Sequence, residues 1–520
     1  MQEPGVEQTQ SAEPGPRFAI YEYSVEGNTV LERAAIERAV YPYLGAGKTF
    51  SDIEGARQNL EKTYLDAGYG AVAVEIPEQE VKGGVVRLKV IEGRLEKVRV
   101  RGSRYHSLRR IREGLPALKP GAVLHMPEVQ EQIAALNRAS ADRQVTPVLR
   151  AGDAPGTVAL DLRVKDELPL HAALEYNNRY SANTTHRRAA VTVRYDNLWQ
   201  REHSLSFSYQ TAPENRDEVD ALGVTYALRS NGGTDATVFY AVRADSNISN
   251  VGGQVSSVVG NGNIYGIRHI VPLSARGTFQ HSLSLGIDYK DFKEDTNLLS
   301  ADTLRTPIRY WPLSVGYNTT SPDEHGTTTI GVLANFSLMA FSEKQVDCNG
   351  IALDQFECKR VGAKANYFYL RTDFQRTQSF RSGFGVVGRF GIQVASDPLI
   401  SNEQYGAGGM TSVRGYLDSE RFGDSGWQVS VEGRTPSWRV GEGDKFDTYG
   451  LIFYEAARLK LQEPLPEQKT SFELASIGIG MHFMAWQRLN AEWHLGYPLK
   501  DGAVTRKGDE RLQFRLEYAF

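Results

Sequence analysis

Two α+β domains followed by an all-β, 16-stranded antiparallel transmembrane β-barrel make up the fold class that this sequence predicts. Three observations predict it. Residues 17–166 run twice through one plan of a strand, two helices and two strands. From Leu168 to the last residue, apolar side chains recur at every second position. The connections between those later strands are long after odd-numbered strands and short after even-numbered ones.

Composition sets outer bounds. The formal net charge of −4 gives no reason to expect a nucleic-acid partner. No run of 18 apolar residues is present, so no transmembrane helix is expected; spanning strands hide their apolar band by alternation. The 50 glycines, 25 tyrosines and 21 phenylalanines suit a barrel with aromatic girdles and equally a soluble all-β protein. Residues 1–16, polar and rich in Pro, Gly and Glu, read as a flexible tail. No apolar signal core precedes Arg17, so the chain reads as a mature sequence with Met1 added.

In the first domain, 17–94, a strand over Phe18–Val25 leads to a turn at Gly27-Asn28. Thr29 and Glu32 have the spacing of a helix capping box, and Ile36, Val40 and Leu44 give one apolar face. Ser51 and Glu54 form a second such box, Ile53, Ala56, Leu60 and Tyr64 share the next face, and Gly68 is placed to end that helix. Strands Ala71–Ile76 and Val85–Ile91 close the domain. The second domain, 95–166, repeats the order with strand Lys97–Arg101, helices Leu108–Leu115 and Pro127–Arg138, and strands Gln144–Leu149 and Thr157–Val164. Pro127 suits a first helical turn.

The barrel, 167–520, is legible in its alternation. Leu205, Phe207 and Tyr209 alternate with serines; Leu283, Leu285, Ile287 and Tyr289 with Ser284, Gly286 and Asp288. The last strand sets Leu512, Phe514, Leu516, Tyr518 and Phe520 against Gln513, Arg515 and Glu517. One face suits lipid and the other a wet lumen. Long connections are expected near 246–261, 291–305, 340–362 and 395–426, and short ones at 198–202, 230–234, 375–379 and 485–487. An even strand number returns the chain to the rim where it entered.

The connection at 395–426 is the most unusual. Six glycines punctuate it, and it contains Val413-Arg414-Gly415-Tyr416. Glycines permit close backbone packing, so the loop could fold back into the lumen. An arginine in a narrow lumen needs a carboxylate. Phe453, Glu455 and Ala457 share one face of a later strand, so a bidentate Arg414–Glu455 pair is one reading; a solvated loop arginine and an ordinary lumenal glutamate are the other. Cys348 and Cys358, the only cysteines, sit in a polar stretch and read as a loop disulfide of an oxidising compartment; no metal site is expected. Three apparent enzyme motifs are discounted. Gly47-Lys48-Thr49 has Pro42 where a phosphate loop needs glycine, Gly423-Asp424-Ser425-Gly426 has no assigned His or Asp partners, and the ten histidines lack metal-ligand spacing. No cofactor and no catalysis are expected.

Taken in order, these residues resemble the outer-membrane transporters of two-partner secretion, the TpsB family. Tyr23-Ser24-Val25-Glu26-Gly27-Asn28-Thr29 is similar to the opening of a polypeptide-transport-associated (POTRA) domain, and Tyr195-Asp196-Asn197-Leu198-Trp199 to the family's early barrel. Val413-Arg414-Gly415-Tyr416 matches the signature of the sixth extracellular loop. Phe514, Leu516, Tyr518 and the terminal Phe520 match the signal read by the barrel assembly machinery. The wall motif is usually Phe-x-Asp-x-Gly; here Phe453, Glu455 and Ala457 give a longer acid and no glycine. Many members carry a plug helix before the first POTRA domain, for which residues 1–16 are too short. The resemblance implies a monomeric transporter in the bacterial outer membrane, in contact with its lipids, with the POTRA domains in the periplasm. Its partner would be a secreted adhesin-, haemolysin- or toxin-type protein whose amino-terminal secretion domain arrives unfolded. Strand addition to a sheet edge would suit such a guest, and Val72, Val74 and Ile76 mark the candidate edge; a plain strand packed on its helices is the alternative. Two rival functions are an assembly factor of the same superfamily, which usually carries three or five POTRA domains, and a solute porin, which needs none.

Overall fold

The computed structural model describes residues 17–182, 184–230, 235–244, 261–274, 277–293, 295–297, 303–305, 307–348, 350–440 and 446–520. The expected tail 1–16, the turn at 231–234 and most of the connection at 246–261 lie outside the described residues. The chain divides into two compact units, Met1–Pro169 and Leu170–Phe520.

The first unit holds both α+β domains. In each, a strand before the helices runs parallel to the last strand, which lies in the middle, and the strand after the helices lies antiparallel at the far edge. The expected strand Phe18–Val25 is broken at Tyr21, and Phe18–Ile20 pairs instead with Gly45–Lys48. Glu22–Glu26 pairs with Val85–Glu92, which pairs with Val72–Glu75. Arg94–Arg101 pairs with Thr157–Asp166, which pairs with Arg143–Ala151. The predicted helix face Ile53, Ala56, Leu60 and Tyr64 is buried against Val86 and Leu88. Helices Leu108–Glu113 and Met126–Ala139 close the second core over Leu95, Leu160 and Leu162.

Both expected capping boxes are corrected. Thr29 does not cap a helix; its N–H donates to Glu92 Oε1 at 2.7 Å and its hydroxyl to Glu92 Oε2. That long-range acid takes the threonine, so the helix Arg33–Val40 starts at Glu32 without a side-chain cap. The second box is Thr49 with Asp52, two residues before Ser51 and Glu54, because Glu54 is drawn to Arg57 at 2.7 Å. Gly68 follows this helix at φ +91°.

One device occurs in both domains. Gly27, at φ +91°, passes so close to the central strand that a Cβ would lie 2.2 Å from the Val90 carbonyl oxygen. Gly102, at φ +93°, does the same at 2.3 Å from Val164. Two residues beyond each carbonyl stands a buried acid that takes the backbone N–H groups after the glycine. Glu92 receives Thr29 and Val30; Asp166 receives Arg104, Tyr105 and His106.

The second unit is a closed barrel. Its strands, one to sixteen, are Leu170–Asn177, Arg188–Leu198, His203–Thr211, Asp220–Arg229, Ala236–Ala244, Gly262–Pro272, Gln280–Phe292, Pro312–Asp323, Gly326–Ser337, Phe368–Ser379, Gly385–Ala395, Ser425–Arg434, Phe446–Lys460, Ser471–Ala485, Leu489–Pro498 and Arg511–Ala519. Short segments Ile308–Tyr310 and Trp438–Val440 extend strands eight and twelve. Alternation has its expected meaning: Leu285, Ile452, Ile479 and Leu512 are exposed toward lipid, whereas Phe453, Glu455 and Ala457 are buried inward. The turn expected at 375–379 lies instead at 380–384. Gln375–Ser379 is polar, like a turn, but pairs in full register with strands nine and eleven at the wet end of the wall. The ring closes where strand sixteen pairs with strand one from Arg515↔Asn177 to Ala519↔Ala173. Beyond that ladder the Asn178 carboxamide stands in for a peptide group, donating to Leu512 O at 2.8 Å and accepting from Phe514 N at 2.8 Å. The Phe520 N–H donates to Ala172 O at 2.8 Å.

Candidate functional site: the lumen and its inserted loop

A cavity of about 1220 Å³ lies inside the barrel, lined by charges of both signs that include Arg194, Arg389, Asp373 and Glu492. The loop between strands eleven and twelve enters it. Val413, Arg414 and Tyr416 are all buried although they belong to a connection.

Arg414 is held from several sides. Its backbone N–H donates to Glu455 Oε2 at 2.6 Å and its Nε to Glu455 Oε1 at 2.9 Å. Its Nη1 turns to a second acid, Glu432 Oε2 on strand twelve, at 2.9 Å. The guanidinium carbon lies 3.7 Å from the centre of the Phe453 ring. Ser430 donates to Glu455, and Arg434 donates to the other oxygen of Glu432. The expected Arg414–Glu455 pair is therefore present, but the guanidinium is shared between two carboxylates. Burying these charges is tolerable because each has an opposite neighbour and further donors.

The rest of the signature is fixed by backbone fit. Gly415 adopts φ +91°, and a Cβ at the facing Gly496 of strand fifteen would lie 2.6 Å from Gly415 Cα and N. The Gly415 N–H donates to Gln513 Oε1 at 2.9 Å, and Gln513 Nε2 donates to Tyr416 O at 3.2 Å, so one carboxamide on strand sixteen pairs with the loop like a peptide. The Tyr416 hydroxyl lies 2.9 Å from Ala475 O and 2.7 Å from Lys500 O, its one proton shared between them, and accepts from the N–H groups of both residues at 3.3 Å. Ala457, at the position where the wall motif usually has glycine, packs with Val413, Tyr416 and Leu474; its methyl group fills a small apolar cluster.

The sequence alone does not single out Glu432, Gln513 or Gly496. Each looks like an ordinary strand residue until the fold brings a loop against it. The other sequence-derived sites lie elsewhere. Cys348 and Cys358 are disulfide-bonded, with Cα atoms 5.8 Å apart, in the connection after strand nine. Phe514, Leu516, Tyr518 and Phe520 alternate outward along strand sixteen. Val74 is buried in the first α+β core with Val72 and Ile76 packed around it, while Ala73 and Glu75 of the same edge strand are exposed.

Residues 156–440 match the sequence model of the haemolysin secretion/activation protein ShlB/FhaC/HecB, and residues 18–93 match that of the ShlB-type POTRA domain. The chain belongs to the ShlB/FhaC/HecB family. It is 22% identical to the outer membrane transporter CdiB of Escherichia coli over 440 residues, 82% of this chain and 70% of that protein. It is 25% identical to CdiB of Dickeya dadantii over 185 residues, 36% of this chain and 32% of that protein. Its fold is similar to the solved structure of CdiB from Escherichia coli, with a TM-score of 0.64 at 17% identity over 99% of this chain and 93% of that one. BamA from Haemophilus ducreyi lacking POTRA domains 1–3 gives a TM-score of 0.58 at 14% identity over 97% of this chain and 100% of that one. As a ShlB/FhaC/HecB protein, the chain is an outer-membrane β-barrel of a transporter family, not an enzyme family, with POTRA domains in the periplasm.

Proposed function

We propose that this protein receives an unfolded secreted partner through its POTRA domains and passes it through the barrel to the cell surface. The observation that carries this reading is the loop inside the lumen. It occupies the polar interior of a closed barrel, yet it is held by side-chain contacts around Arg414, Glu403, Asp418 and Glu420 and not by the strand ladder. A removable obstruction is what a polypeptide conduit requires. The POTRA contact would run along the Val72–Glu75 edge, whose backbone pairs on one side only and whose Ala73 and Glu75 side chains are exposed. Val72, Val74 and Ile76 would shape that edge from behind. The transporter works as a monomer, set in outer-membrane lipid and assembled through its Phe520 terminus. With no nucleotide in the periplasm, folding of the partner outside supplies the drive.

The test is secretion of the partner encoded next to this protein's gene, by cells carrying wild type or Arg414→Ala, with barrel assembly checked by heat-modifiable gel mobility. Loss of secretion from an assembled Arg414→Ala barrel is expected. Normal secretion would remove Arg414 from the mechanism, and no secretion by wild type would favour an assembly factor. A photo-crosslinker at Ala73 should trap the partner on the POTRA edge.

A further inference from the structure

At the outer rim, three long connections converge on one buried acid. Asp424 is fully buried at the end of the loop that carries Arg414. Its carboxylate takes both Nη atoms of Arg360, with Nη2 to Oδ2 at 2.8 Å. It also accepts from Leu399 N at 3.0 Å, Gln404 Nε2 at 3.1 Å and Gln462 N at 2.7 Å. Arg360 belongs to the connection 338–367, Leu399 and Gln404 to 396–424, and Gln462 to 461–470. Arg360 Nη2 donates in turn to Gln462 O at 3.0 Å. One ion pair thus joins three surface loops.

The placement of Arg360 is built. Two residues before it, Cys358 is bonded to Cys348 across the hairpin Gln345–Cys348 and Ile351–Asp354. The short helix Gln355–Lys359 drives Phe356 into an apolar cluster with Tyr310, Tyr367, Leu399 and Ile400. A second buried acid, Glu403, pins the Arg414 loop to the wall by accepting from Tyr310 at 2.6 Å, Tyr369 at 3.1 Å and Lys290 at 2.5 Å.

We infer that the Arg360–Asp424 pair is an exit clasp that holds the surface loops together over the outer end of the lumen and opens when a polypeptide leaves. The inference rests on the transport reading above. When the ions part they regain hydration, whereas the apolar contact of Phe356 with Leu399 and Ile400 beside them resists separation in proportion to its area, so the ion pair is the part of this joint that can release. The disulfide keeps Arg360 on a short tether, so the clasp can re-form without the loop unfolding. Arg360 and Asp424 act by positioning loops, and nothing in the clasp depends on the partner's sequence.

Two measurements on the full-length protein test the clasp. In planar lipid bilayers, Asp424→Asn and Arg360→Gln, each checked for assembly by heat-modifiable mobility, should raise open-channel occupancy roughly tenfold or more over wild type. Assembled variants that conduct like wild type would overturn the clasp. In cells, Lys364 and Asp397, an exposed lysine and a half-buried acid at 2.7 Å between the loops of Arg360 and Asp424, are replaced as Lys364→Cys with Asp397→Cys and bridged by a short bismaleimide. Bridged protein should stop exporting while the unbridged double variant continues; undiminished export through bridged loops would also overturn the clasp. The bilayer result needs no partner, so raised conductance without export by wild type would retain the clasp and reject the transport reading.

Discussion

Two of the grips on the loop between strands eleven and twelve, near Arg414 and at Asp424, have opposite designs. At Arg414 the loop supplies the cation and two rigid strands supply the acids, Glu432 and Glu455. At Asp424 the loop supplies the acid, and its cation comes from another connection. The first grip sets loop against wall and fixes where the obstruction sits. The second joins the last residue of the loop, whose backbone is bonded to strands eleven and thirteen through Gln393 and Lys460, to a cation carried by another connection. A wall partner cannot move without the sheet; a loop partner can. The inner grip therefore defines position, and the outer one defines when the surface loops stay together.

Substitutions can sharpen that contrast. The largest effect is expected from Arg414→Ala, which leaves buried Glu455 without its cation and Glu432 with Arg434 as its remaining hydrogen-bonded cation, a loss of about 3–5 kcal/mol in loop docking. Bilayer conductance and protease access to 396–424 should rise together, in a barrel that still shows heat-modifiable mobility. Gly496→Ala should come next. The added methyl group meets Gly415 backbone at 2.6 Å, and such overpacking costs about 1–3 kcal/mol. Protease cleavage of the loop would report it, and an unchanged pattern would show that the loop yields there. Gln513→Ala should be milder, since water can replace its bonds once the loop lifts; a loss of about 1–2 kcal/mol is expected by the same assay.

A smaller, separate effect should appear in the POTRA domains. Burial alone would raise the pKa of Asp166, but the backbone N–H groups of Tyr105 and Arg104, the Ser103 hydroxyl and His106 outweigh it and hold it below the ordinary carboxylate value. A depressed acid stabilises fully above its unfolded pKa of about 3.9 and loses that contribution as pH falls through the lower folded value. Hydrogen exchange in 102–106 should therefore stay slow at pH 5 and quicken below about pH 4. Asp166→Asn should quicken it at both and flatten the pH dependence.

What is legible in the sequence follows from range. Alternation along one strand needs no partner to be seen, so the sequence alone turns Phe453, Glu455 and Ala457 inward and Phe514 to Phe520 outward. Helix faces such as Ile53 to Tyr64 are equally plain. The misplaced features depend on residues far along the chain. Thr29 has the right neighbours for a cap but is claimed by Glu92, 63 residues away. Glu432 and Gln513 sit in unremarkable alternating runs, and only the returning loop gives them a role. Asp424 is visible only as part of a discounted protease-like motif, because its donors come from three connections.

The seam between the first and last strands carries a consequence for biogenesis. Its joint uses strand sixteen, from Arg515, and the Phe520 amide that meets Ala172, and the Asn178 side chain completes it from the other partner. No earlier point in synthesis can seal the ring. A chain cut short by even one strand would present two unpaired edges, each a template for aggregation. Pairing of strand sixteen with strand one is thus the step that turns a sheet with two open edges into a cylinder.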